Sequence, residues 1–137
     1  MIVAFWCVLA AAFLPIVCAY IAKFGGAAST DDGATRYNNR EPRLWLARQT
    51  GVRGRAHAAQ GNSFEAFPFF AAGVVIAVLQ HVPVATIDLL AVIFIVARIA
   101  YIACYVADLP KLRSFVWSIG FTACVVLFLY AATGTLR

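Results

Sequence analysis

Charge is what this sequence has least of. Only 12% of its 137 residues are Asp, Glu, Lys or Arg, and 64% are hydrophobic; an ordinary soluble domain carries about a quarter charged residues and about half apolar. The shortage argues against a water-soluble fold and makes a bilayer the expected solvent. Acids are scarcer still, six against eleven Lys and Arg, for a net charge of +5. No separate basic domain exists that could hold a nucleic acid, so none is expected as a partner. Cysteine occurs four times, as Cys7, Cys18, Cys104 and Cys124, with neither metal-ligand spacing nor a disulfide framework. The four read as small core residues, and no metal is expected. Internal repeats and low-complexity tracts are missing as well.

What is there is hydrophobicity in four blocks: 2–22, about 64–82, 87–107 and about 115–133. At about 20 residues per crossing, four helices and one long connection fill the chain. The expected fold is an all-α membrane protein, a four-transmembrane-helix bundle in a single domain over residues 1–137. Its helices are expected at about 2–22, 43–82, 87–107 and 114–134, with a flexible loop at about 24–40. Nothing basic precedes the first block and Lys23 follows it, which favours a retained membrane helix over a cleaved signal. Lys23, Arg36, Arg40, Arg43, Arg48, Arg53 and Arg55 lie between the first and second blocks or at the start of the second helix, and Lys111 and Arg113 between the third and fourth. The opposite side offers only His81 and Arg137. The positive-inside rule then puts both basic connections in the cytoplasm and both termini on the non-cytoplasmic side.

The second helix is expected to be long. Asn39 supplies a capping side chain, with Glu41 and Pro42 in the first turn. A helical pattern then runs from WLARQTGVRG into SFEAF without a strong stop, weakened by Gly51, Gly54 and Gly61. Pro68 removes the hydrogen bond to the Phe64 carbonyl and should bend the helix. The turns QHVPVA and DLPKLR are short, so the second, third and fourth helices are antiparallel neighbours in sequence.

Alternating steps of three and four along the second helix join Arg48, Gly51, Arg55, Ala58, Asn62, Glu65 and Phe69 on one face. The third helix repeats the pattern with Arg98, Tyr101 and Tyr105. Counted from the turn near Val84, Asn62, Glu65, Tyr101 and Tyr105 lie within one or two helical turns in height, with Arg113 and Ser114 similar or slightly shallower. An ionised side chain at mid-bilayer costs about 2.5–3.5 kcal/mol, while a helix-to-helix hydrogen bond returns about 0.6–2 kcal/mol. A lone pair of Glu65 with Arg98 could be purely structural. Six or more polar groups at one depth predict a pocket open to the cytoplasmic side.

The run RAHAAQGNSFEAFPFF resembles the second-helix signature of the MAPEG family, membrane-associated proteins of eicosanoid and glutathione metabolism, through Asn62, Glu65 and Pro68. ARIAYIACY resembles the third-helix pattern of the leukotriene synthase branch through Arg98, Tyr101 and Tyr105. LPKLRSFVW resembles the start of the fourth helix through Arg113, Ser114 and Trp117. The resemblance covers nearly the whole chain. It implies a homotrimer in the membrane, with glutathione as co-substrate between subunits near the cytoplasmic face and a lipophilic small molecule entering from the lipids. Asn62, Glu65, Tyr101 and Tyr105 would hold the tripeptide, with Arg55, Arg98 and Lys23 as further binding candidates. Arg113, helped by Ser114, would stabilise the thiolate. Two departures stand out: Ala58 occupies a position where eicosanoid members carry Arg, and Trp117 one where a Tyr is common. The implied activity is that of a glutathione-dependent transferase or peroxidase. The alternative is a non-catalytic membrane protein that binds a lipid or small molecule in the same groove. A small multidrug transporter is disfavoured, because the first apolar block has no carboxylate.

Overall fold

The computed structural model describes residues 3–25 and 37–133. Five helices follow one another: α1 Val3–Phe24, α2 Pro42–Ala47, α3 Gly51–Leu79, α4 Val84–Val106 and α5 Pro110–Thr133. α1, α3, α4 and α5 are each long and apolar enough to cross a membrane. Their outward faces carry Phe5, Trp6, Phe13, Leu89, Val96 and Phe115, all more than half or about half exposed, which suits a lipid environment. Most of the loop expected at 24–40 falls outside the described residues, although α1 itself runs on to Phe24.

The helices meet through small residues at steps of three and four. α1 buries Ala4, Cys7, Ala11, Pro15, Cys18 and Ala22. α3 buries Ala56, Ala59, Ser63, Phe70, Gly73 and Ala77 on a matching stripe. Small side chains let backbones approach closely, which is how membrane helices gain packing without a hydrophobic driving force. α1 packs on α3 and α4, and α5 on α4 and α3. The core between them holds Phe70 stacked on Phe94 at 3.9 Å between ring centroids, with Leu127 and Cys124 alongside. A Cβ on Gly73 would come within 3.2 Å of the Phe128 ring, so this glycine makes room for an aromatic neighbour. All four cysteines are free and buried.

The long second helix expected over 43–82 is in fact two. α2 ends at Ala47, where Arg48 and Gln49 donate backbone bonds back three residues and the Gln49 side chain takes the Trp45 carbonyl at 2.9 Å. Thr50 is extended, and Gly51 opens α3 at φ +60°, a conformation that costs other residues a steric clash. Arg48 therefore does not continue the stripe of α3. The start of α2 also differs: Pro42 lies in the first turn as expected, but Glu41 occupies the cap without a side-chain bond, and Asn39 instead accepts from the Tyr37 hydroxyl. α3 runs unbroken through Pro68. At 29 residues it is about 43 Å long, more than the roughly 30 Å of hydrocarbon, so it must tilt in the bilayer or extend beyond it.

Both short turns close in the same way. His81 and Asp108 adopt φ of 57° and 60°, left-handed conformations in which His and Asp are enriched. Their N–H groups bond the Val78 and Tyr105 carbonyls, and the following Val82 and Leu109 bond Ala77 and Cys104. That pattern satisfies the last carbonyls of α3 and α4 and turns the chain within a few residues. At the basic end, Arg53 Nε donates to the Gly25 carbonyl and Arg55 Nε to the Val106 carbonyl, tying α3 to the ends of α1 and α4. At the other end, the Asp88 carboxylate on α4 accepts from the Ala4 amide at 2.8 Å and so caps the first turn of α1 from a neighbouring helix.

Candidate functional site

Glu65 stands 14 residues from the end of α3 at Leu79, and Arg98 stands 14 residues from the start of α4 at Val84. The two helices are antiparallel, so both side chains sit about 21 Å from the same end. Arg98 is 3% exposed. Its NH1 donates to Asn62 Oδ1 at 2.9 Å and its NH2 to the Ser63 hydroxyl at 3.1 Å. Ser63 in turn donates to the Ala59 carbonyl at 2.8 Å, which leaves its oxygen free to accept. Asn62 Nδ2 donates to Glu65 Oε2 at 3.3 Å. The direct Glu65–Arg98 pair allowed for by the sequence is thus replaced by a bridge through Asn62. Among the described residues the ion pair is elsewhere, between Arg55 and Asp108 at 3.7 Å. A buried guanidinium is left with neutral hydrogen-bond partners.

Arg98 also begins a ladder of rings. Its guanidinium lies 4.4 Å from the centre of the Tyr101 ring, Tyr101 meets Tyr105 edge to face at 5.6 Å, and Arg113 lies 4.2 Å over Tyr105. The ladder crosses from α4 to α5 with a cation at each end. Ser114 donates its hydroxyl to the Pro110 carbonyl at 3.1 Å, so its proton is committed to the backbone.

Two adjoining cavities open on this network. One, of about 230 Å³, has Asn62, Glu65 and Arg98 at its polar edge and Ala66, Phe69, Phe94, Phe121 and Cys124 as apolar wall. The other, of about 430 Å³, is lined by Tyr101, Tyr105, Arg113, Ser114 and Ser118. Trp117 belongs to both. It stacks on Phe121 at 5.1 Å and 7°, and Phe69 stacks between Phe121 and Phe128 at 5.8 and 4.9 Å. In place of the single pocket expected from the sequence there are two cavities that share Trp117 as a wall residue.

The family model for the MAPEG family matches residues 3–133. The chain belongs to the MAPEG family. It is an integral, multi-pass membrane protein. No curated protein and no solved structure matches it.

Of the residues that carried the MAPEG resemblance, Asn62, Glu65, Arg98, Tyr101, Tyr105, Arg113, Ser114 and Trp117 all line one cavity or the other. Arg55 and Lys23 line neither. Arg55 is held by the Val106 carbonyl and Asp108 at the end of α4, and Lys23 lies 4.6 Å over the Tyr37 ring. Sequence reading missed Ser63, which is buried and shares Arg98 with Asn62. Its signal is the small-residue stripe Ala56, Ala59, Ser63, on which a hydroxyl must find a partner. It also missed the aromatic wall: Phe69 falls on the polar face of the second helix without any signal of a role there, and Phe121 lies in an apolar run that singles out no residue. Groups of His, Cys, Asp or Glu able to hold a metal are absent among the described residues.

Proposed function

We propose that this MAPEG protein is a glutathione-dependent membrane transferase or peroxidase acting on lipophilic electrophiles. The observation that carries the reading is the pair of cations, Arg98 and Arg113, set against cavities with only Glu65 as an acid among their lining residues. A charge kept inside a membrane span costs several kcal/mol unless something compensates it, and intramembrane ionisable groups facing a cavity commonly mark a ligand path. Glutathione has the complementary charges: two carboxylates and a thiolate for the arginines, and one ammonium group for Glu65.

The chemistry follows from the thiol. At a pKa of about 8.5 it is mostly protonated at neutral pH and a weak nucleophile. The Arg113 guanidinium beside the sulfur would favour the thiolate. Arg113 suits this role better than Ser114, whose proton already bonds the Pro110 carbonyl. Asn62 and the Tyr101 and Tyr105 hydroxyls would hold the tripeptide. The thiolate then attacks an electrophile or peroxide dissolved in lipid, and holding both reactants together supplies much of the rate gain. The aromatic wall of Phe69, Phe121 and Trp117 offers the lipophile a surface next to the polar edge. A homotrimer with glutathione between subunits, facing the cytoplasm, completes the proposal; Lys23 and Arg55 would take part only across such an interface.

The test is spectroscopic. Purified protein with glutathione should show thiolate absorbance near 240 nm, lost in Arg113→Ala. No thiolate signal, together with no turnover across a broad electrophile panel, would favour a protein that binds a lipid or small molecule without chemistry.

A further inference from the structure

Arg113 has the task of meeting a thiolate, yet the contact recorded for its side chain among the described residues is a ring, not a hydrogen bond or carboxylate. A guanidinium on a long, flexible stem does not hold one position unaided; fixing it costs side-chain entropy. Here the face of Tyr105 lies 4.2 Å beneath it. Cation–π contacts of this kind hold about 0.5–2 kcal/mol, most where water is scarce, and leave every N–H of the guanidinium free to donate.

Tyr105 is itself supported. Its ring meets Tyr101 edge to face, Tyr101 is 5% exposed and lies against Arg98, and Arg98 is fixed by Asn62 and Ser63 on α3. The order from anchor to free end is α3, Arg98, Tyr101, Tyr105, Arg113. We infer that Tyr105 is a positioning residue that acts through the face of its ring, holding the Arg113 guanidinium at the cavity with its donors turned to the ligand. This rests on the thiolate role proposed for Arg113 and adds to it: the hydroxyl of Tyr105 can touch glutathione, but the ring sets the reactivity of the sulfur.

Two variants separate ring from hydroxyl. Tyr105→Phe keeps the face and loses the hydroxyl; Tyr105→Leu loses both while keeping an apolar side chain of moderate size. At saturating glutathione, the pH midpoint of the thiolate absorbance should match wild type in Tyr105→Phe, even if affinity falls, and rise by about one pH unit in Tyr105→Leu. Equal shifts in both variants, or none in Tyr105→Leu, overturn the inference. A second readout needs no glutathione. The Arg113 Nε–H resonance, assigned by its loss in Arg113→Lys, should be shifted upfield by the ring current in wild type and Tyr105→Phe and return to an ordinary position in Tyr105→Leu. An unshifted wild-type resonance also overturns the ladder, and covers the case in which Tyr105→Leu fails to fold. An upfield resonance with no thiolate signal in wild type would leave the ring contact standing and remove the glutathione function instead.

Discussion

Arg98 on α4 reaches Glu65 on α3 only through Asn62, which accepts from the guanidinium at 2.9 Å and donates to the carboxylate at 3.3 Å. The amide lets a cation and an acid share one polar edge without neutralising each other by direct contact. Both therefore stay available at the cavity that they line.

Replacing Asn62 by Leu should strand one N–H of a buried guanidinium. The expected cost is about 1–3 kcal/mol, read as a lowered thermal midpoint in detergent. Asn62→Asp retains an acceptor for Arg98 and should lose less. Equal stability of Asn62→Leu and wild type would mean that water or lipid headgroups reach Arg98.

Asp88 caps α1 from α4. Asp88→Ala should destabilise by about 1 kcal/mol, the usual worth of an N-terminal cap, and speed hydrogen exchange at the Ala4 amide. Asp88→Asn keeps an oxygen acceptor and loses only the favourable charge on the helix dipole, about 0.3–1 kcal/mol.

Gly51 opens α3 at φ +60° with nothing near its missing Cβ. Gly51→Ala should thus cost about 1–2 kcal/mol through backbone strain alone. Because no atom stands in the way, Gly51→Asn should recover part of that loss in the same unfolding experiment.

Trp117 lines both the 230 Å³ cavity and the 430 Å³ one. Trp117→Ala should enlarge the space at their shared wall and shift the ratio of kcat/KM between large and small lipophilic electrophiles toward the large by about tenfold. An unchanged ratio would show that the lipophile binds elsewhere.

The four spans and the polar faces of α3 and α4 were legible because each is a repeated signal: long apolar runs, and polar residues at steps of three and four. The height match of Glu65 and Arg98 follows from counting along antiparallel helices. The α2–α3 break was not legible, since Gln49, Thr50 and Gly51 are each tolerated inside a helix and only their combined backbone geometry ends one. Arg55 shares a face with Asn62 in sequence but projects near the end of α4, where carbonyls without helical partners attract it first. The place of Trp117 at both cavities depends on how α5 is rotated, which its weakly patterned, apolar sequence leaves open. The family resemblance supplied Arg113 and Ser114 as candidates; the geometry ranks them, through the occupied proton of Ser114.

A calorimetric titration of the purified protein with glutathione addresses the central claim most directly. Wild type should bind saturably, and Glu65→Gln and Arg98→Met, each confirmed to be folded, should bind at least about tenfold more weakly, a loss of about 1.4 kcal/mol. No saturable heat from folded wild-type protein, or equal affinity in both variants, would contradict the account.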